Sequence, residues 1–178
     1  MKSKILITGP PHCGKSTLIS KLINHYSNIV IYGFLTPEVV KNGKRIGFDI
    51  EEIHSGKITP LARIGNYQTR YHLGKYRIFI EEFNKVISIL KNIKNKEVDL
   101  IIIDEIGKME LFSKKFQEFI KDIFYSDIPI IATIGQRLRH PIKDYVLNIP
   151  GINLFTLTRE NQLEIFQEII QIIHTFKK

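Results

Sequence analysis

Two stretches of this chain carry residues whose types and spacing suit chemistry on phosphate. The first is Gly9-Pro10-Pro11-His12-Cys13-Gly14-Lys15-Ser16-Thr17, which fits G-x-x-x-x-G-K-[ST]. A short apolar run, Ile5-Leu6-Ile7, precedes it, and Leu18, Ile19, Leu22, Ile23 and Tyr26 follow at helical spacing. Strand, glycine loop and helix is the order that aims backbone N–H groups and a helix N-terminus at one spot, where an anion is favoured. Lys15 then reaches the β- and γ-phosphates of a nucleotide, and the Ser16 hydroxyl can ligate Mg²⁺. Pro10 and Pro11 carry no N–H, so the phosphate-facing donors come from His12 onward. His12 and Cys13 have side chains capable of proton or thiol chemistry. The favoured reading is that their backbones matter and their side chains pack.

The second stretch is Val98-Asp99-Leu100-Ile101-Ile102-Ile103-Asp104-Glu105, an apolar run that ends in two acids. Such a run suits a parallel strand buried on both faces, whose carboxyl end opens at the phosphates. Asp104 would hold Mg²⁺ directly or through water. Glu105, ionised at neutral pH if its pKa is the ordinary one, could orient or deprotonate an attacking water. Asp104 to Gly107 also fits the D-x-x-G of GTP switches, but no [NT]-K-x-D guanine-reading motif occurs in the chain. Thr133 and Gln136, near the end of a later apolar run, could sense a γ-phosphate. Arg63, Arg137 and Arg139 are candidates for an arginine finger.

These residues need a scaffold, and the sequence outlines an α/β one. Its 178 residues suit one domain, 1–178, long enough for a real core. Strands are expected at 28–34, 57–63, 128–134 and 152–157, besides those at the two motifs. Asn42-Gly43 supplies a type I′ turn, and Ile46, Phe48 and Ile50 alternate beyond it, so residues 36–63 read as a small antiparallel insertion between parallel elements. Gly65 to Tyr76 reads as a loop, either near the nucleotide or simply on the surface. Helices are expected from Phe83 to Ile93, after an N-cap at Ser113, from Pro141, and after a cap at Thr158.

Composition narrows the function classes. No apolar run reaches the length of a membrane span, and the phosphate loop comes too early for a signal peptide, so the expectation is a cytoplasmic protein. Cys13 is the single cysteine, which excludes an internal disulfide, and the six histidines show no ligand spacing. The net charge of +8 would suit nucleic acid, but the lysines are scattered and lack interleaved aromatics, so nucleic-acid binding is not the expected main role. A monomer is favoured.

The stretch Asp104-Glu105-Ile106-Gly107-Lys108-Met109-Glu110-Leu111-Phe112-Ser113 is more specific than an acid-ended strand. It resembles the signature of the thermophile-type nucleoside-triphosphatases, whose animal members are called cancer-related nucleoside-triphosphatases. Gly33 to Val39, Gly43, Arg45, Gly47-Phe48-Asp49, Leu61-Ala62-Arg63, Gly74-Lys75-Tyr76 and Ala132-Thr133 match as well. The resemblance implies a three-layer, RecA-like P-loop fold with a mainly parallel sheet. It also implies slow, Mg²⁺-dependent hydrolysis of ATP, GTP, CTP and UTP to the diphosphate and phosphate. His12-Cys13 departs from the Gly-Val common in the family loop, and Pro37 stands where an acid is common. On the residues alone, a nucleoside or nucleotide kinase is the runner-up, since the same loop serves transfer to a hydroxyl. A GTP switch and a nucleic-acid-linked ATPase stay open behind it.

Overall fold

The computed structural model describes residues 3–92 and 98–175. Ile93, the last apolar position expected of its helix, lies outside them. The described residues form one ten-stranded mixed sheet with helices on both faces. Strands β1 (Lys4–Thr8), β2 (Ile31–Leu35), β8 (Leu100–Ile106), β9 (Ile130–Ile134) and β10 (Ile152–Thr156) are mutually parallel, in the order β10-β1-β9-β8-β2. Alternation along these strands splits the core in two. Leu6, Ile101 and Ile103 face a layer built by α2 (Ile80–Lys91), α3 (Lys114–Phe124) and α4 (Pro141–Leu147). Ile5, Ile7, Leu100 and Ile102 face α1 (Lys15–His25) and α5 (Gln162–Thr175). On the first face Phe34 packs edge-to-face on Phe83 and Phe116, which are tilted against each other, with ring centroids 5.3 to 5.7 Å apart. No helix among the described residues is long and apolar enough to cross a membrane.

The antiparallel segment is not an appendage. Strand β4 (Lys44–Glu52) pairs directly with β2, Phe34 opposite Glu52 and Leu35 opposite Glu51. The sheet then continues through β5 (Ile58–Ile64), β7 (Tyr76–Ile78) and β6 (His72–Leu73), while β3 (Glu38–Lys41) pairs with β4 alone. Asn42 and Gly43 both have positive φ, 50° and 70°, as the two-residue turn between β3 and β4 requires. Because β4 meets β2 only at residues 51 and 52, β3 and the first half of β4 stand beyond the carboxyl edge of the parallel strands. They form a wall there.

Three expectations need correction. The stretch 65–76 is not all loop: it contains β6 and, across a Gly74-Lys75 turn, the start of β7. Ordered pairing with β5 outweighs its polar composition. Thr158 does not cap the last helix, which begins only at Gln162. Thr158 and Asn161 instead bond reciprocally, the Thr158 N–H to Asn161 Oδ1 at 2.7 Å and the Asn161 N–H to Thr158 Oγ1 at 3.3 Å. The second strand starts at Ile31, three residues later than expected. Ser113 does cap α3, its hydroxyl accepting from the Phe116 N–H at 3.0 Å.

Candidate active site

Parallel pairing brings the ends of β1, β8, β9 and β2 to one edge, where they floor a cleft of about 770 Å³. The phosphate loop leaves β1 and turns into α1 at Gly14, whose φ of 98° is left-handed backbone that a side chain would strain. Gly9 is required for another reason. A Cβ there would lie 2.5 Å from the Leu157 carbonyl oxygen and 2.7 Å from Cys13 Sγ. The segment after β10 is thus packed against the loop, and Gln162 fastens it by donating to the Cys13 carbonyl at 3.0 Å. Lys15 Nζ donates to the carbonyls of Gly9 at 3.1 Å and Pro10 at 3.2 Å, which keeps the cation at the loop.

His12 and Cys13 divide where the sequence treated them alike. Cys13 packs, 3% exposed, in the core beneath α1 and α5. His12 has φ 60° and an exposed side chain at the cleft, so its side chain does not pack as expected. Of the expected nucleotide contacts, Gly9, Pro11, His12, Gly14, Lys15, Ser16, Thr17, Asp104, Glu105 and Gly107 line the cleft. Pro10 contributes its carbonyl to Lys15, and Cys13 its fold.

The acidic side of the cleft is built by β8 and the turn after it. Its register with β9 shifts between Ile103 and Ile106, and the Asp104–Glu105 peptide in that irregularity is cis. Asp104 is buried and accepts a short hydrogen bond from the Thr133 hydroxyl. Thr133 is itself wholly buried, so it orients Asp104 and does not meet a phosphate as expected. Gln136 does line the cleft. Glu105 is partly buried. Burial raises its carboxyl above the ordinary range, the Asp104 charge adds to this, and Lys15 opposes it.

A third acid was legible in the signature but given no role. Glu110 sits in a 3₁₀ turn over Glu110–Phe112, 3% exposed, and lines the same cleft. Burial pushes its carboxyl up to about 8, with the Glu105 charge adding and a hydrogen bond from Thr36 Oγ1, 3.4 Å away, opposing. A Cβ on Gly107 would stand 2.6 Å from Glu110 Oε2 and 2.8 Å from Glu105 Oε1, so both carboxyl groups close over that bare α-carbon.

The arginines also sort themselves. Arg63 is held in the sheet by Asp49 and by the Phe48 and Ala62 carbonyls, the latter two at 2.8 Å, and does not reach the cleft. Arg139 is exposed outside it, and Arg137 lines it. Arg45, which the sequence offers only as a family match, does so too. Arg45, on the β3–β4 wall, donates from Nε to the Tyr76 hydroxyl at 3.0 Å and from Nη1 to Glu38 at 2.6 Å, and lies 5.1 Å from the Phe48 ring centroid.

The two oxygen donors expected of a metal site, the Ser16 hydroxyl and the Asp104 carboxylate, both line the cleft. Among the described residues no three His, Cys, Asp or Glu side chains are grouped to hold an ion. This small set of hard oxygens fits Mg²⁺, which is commonly bound through one or two carboxylates and completed by substrate phosphates.

A phosphate loop at β1 and an acid-ended β8 on a three-layer sheet give the architecture of the α/β P-loop proteins. Comparison with known proteins agrees. The NTPase family profile matches residues 4–170. The nucleoside-triphosphatase THEP1 of Methanocaldococcus jannaschii is 37% identical over 170 residues, covering 94% of this chain and 95% of that one. The mouse cancer-related nucleoside-triphosphatase homolog is 31% identical, covering 98% of both. The crystal structure of THEP1 from Aquifex aeolicus superposes with a TM-score of 0.81 at 33% identity, covering 96% of this chain and 98% of that one. The chain belongs to the NTPase family.

Proposed function

We propose that this chain is a Mg²⁺-dependent nucleoside-triphosphatase that hydrolyses ATP, GTP, CTP and UTP to the diphosphate and phosphate. The observation that carries the reading is the convergence of Lys15, Asp104 and Glu105 on one cleft at the carboxyl edge of the sheet. The names borne by the relatives support the reaction class. Phosphoryl transfer needs positioning and charge stabilisation more than covalent chemistry. The loop N–H groups from His12 onward cradle the phosphates, and Lys15 leaves its two carbonyls to neutralise the β,γ-phosphate end. Ser16 and Asp104 hold Mg²⁺, which when bound offsets charge on the phosphate oxygens. Glu105 orients the attacking water and takes its proton, and a carboxylate raised by burial is a stronger base than an exposed one. Thr133 fixes the Asp104 carboxylate and Gln162 the loop, so both are positioning residues. The absence of a guanine-reading [NT]-K-x-D from the sequence supports broad base use.

The test is phosphate release from each NTP separately with Mg²⁺, by wild type and by Glu105→Gln. Release from all four, lost in the variant while nucleotide binding survives, is expected. Release from one NTP only would overturn broad specificity.

One observation favours phosphoryl transfer to a small acceptor as a second reading: the cleft continues past Glu105 to Thr36, Arg45 and Phe48. Transfer of the γ-phosphate to added nucleosides or monophosphates, without matching free phosphate, would select it.

A further inference from the structure

We infer that the half of the cleft beyond Glu105 is a second ligand site, which takes a flat aromatic monophosphate of the nucleoside monophosphate type while a triphosphate occupies the phosphate loop. The inference rests on the triphosphate reading above for the direction in which the first ligand lies. Lys15 and Asp104 mark the β,γ end of that ligand, and Glu105, placed for an attacking group, marks the far side of the γ-phosphate. Glu110 and Thr36 come next, and then the β3–β4 wall with Arg45 and Phe48. In the sheet order β8-β2-β4, strand β4, which carries Arg45 and Phe48, stands two strand spacings, about 10 Å, from the acidic strand, with Thr36 and β3 between them. The cleft of about 770 Å³ is lined both by the phosphate loop and by Arg45 and Phe48, so the space past Glu105 belongs to the same cleft.

Its lining has the composition of a small-molecule site: apolar surface with a few convergent polar groups. Phe48, Leu73 and Met109 are partly buried apolar side chains at the cleft. Arg45 supplies the cation. Tyr76 and Glu38 hold its Nε and Nη1, while Nη2 has no hydrogen-bond partner among the described residues. Its ion pair with Glu38 is exposed on both sides, 41% and 46%, and pairs of that kind add little to stability. The arrangement thus pre-orients a guanidinium fork, the group best suited to a phosphate, at the edge of an apolar slot. Thr36, at the boundary between the halves, is a further hydroxyl within reach of the shared space. A ring alone would leave Arg45 unused, and inorganic phosphate alone would leave the slot unfilled.

The test is calorimetric titration of AMP, GMP, CMP, UMP and adenosine into the full chain saturated with Mg²⁺ and a non-hydrolysable ATP analogue. At least one monophosphate is expected to bind one per chain without displacing the analogue, and the nucleoside about tenfold or more weaker. Arg45→Gln and Phe48→Ala should each weaken the monophosphate about tenfold, with analogue affinity unchanged. Arg45→Lys, which keeps the charge and most of the stem, should weaken it several-fold and covers the case in which Arg45→Gln fails to fold. No binding by any monophosphate, displacement of the analogue, equal affinity for adenosine, or wild-type affinity in folded Arg45 variants would each overturn the proposal. Failure of the analogue itself to bind would sink the hydrolase reading alone. The same monophosphates titrated into analogue-free protein would then decide this site, with binding lost in the Arg45 and Phe48 variants supporting it and no binding overturning it.

Discussion

Lys4 and Glu110 are both nearly out of water, 1% and 3% exposed, and they lie at opposite edges of the parallel strands. Lys4 begins β1, and its ammonium donates to the carbonyls of Ser126 at 2.6 Å, Ile128 at 2.7 Å and Ile123 at 3.3 Å. Three donors meet three acceptors, and the cation sits against the C-terminal end of α3, where the helix dipole favours it. Glu110 accepts from its own backbone N–H and, over a long 3.4 Å, from Thr36, and it has a neighbouring acid, Glu105. The first buried charge is satisfied by neutral backbone and ties the far edge of the sheet together. Glu110 is instead an acid that burial and the neighbouring Glu105 charge keep protonated up to about pH 8, an arrangement that folding alone would not favour. The difference separates a charge completed by its partners from acids crowded together at the cleft: completeness of partners marks the one, crowding of like groups the other.

Four substitutions would sharpen or break that contrast. The largest effect belongs to Glu105→Gln. Phosphate release should fall by about 10²- to 10⁴-fold while the melting temperature holds or rises, because a like charge leaves a crowded site. A fall in melting temperature as large as that of a core variant would show the acids to be structural. Lys4→Met should do the reverse. Stability, followed by urea unfolding, should drop by about 3 kcal/mol as three buried carbonyls lose their donor, with turnover per folded molecule retained.

Glu110 carries a pH signature. Its folded pKa is raised above the ordinary value, so it holds a proton in the fold that the unfolded chain gives up. The stability this contributes is full below about 4.5 and is lost as pH rises through about 8. Melting curves without nucleotide should show wild type losing several kcal/mol more than Glu110→Gln across that window, about 5 at most. Parallel pH profiles for the two would remove Glu110 from the buried acids. The smallest effect is expected from Gln162→Ala, which deletes one hydrogen bond to the loop. KM for the triphosphate should rise several-fold and stability fall by about 1 kcal/mol. An unchanged KM would show that the loop keeps its shape without that fastening.

The chemistry at β1 and β8 was legible because its signals are local. Glycines at fixed offsets, a lysine before a hydroxyl, and an apolar strand ending in acids each say what they do within a few residues. The Asn42-Gly43 turn and the Ser113 cap were readable for the same reason. What the sequence hid is what the sheet brings together from a distance. Thr133 read as a phosphate sensor because its place at a strand end was clear, whereas its partner Asp104 is 29 positions away. Arg63 read as a candidate arginine finger, whereas β4 sets Asp49 beside it. Glu110 stood inside the quoted signature, yet burial gives it its character, and burial there depends on a 3₁₀ turn folding it under Gly107. The β3–β4 ribbon was recognised as a hairpin, but only its register against β2 shows that it walls the cleft.

The seating of the phosphate loop against Leu157 and Gln162 has a consequence for how the protein is made. A ribosome that has translated the chain through β9 has already produced Lys15, Ser16, Asp104, Glu105 and Glu110. At that stage β1 has only one of its two neighbours, Gly9 faces no carbonyl, and the Cys13 backbone lacks its clasp. The loop acquires its final support only when residues 152–162 emerge and add β10 to the sheet. The packing around the phosphate loop is thus completed by the last quarter of the chain, after every residue that lines the cleft has been made.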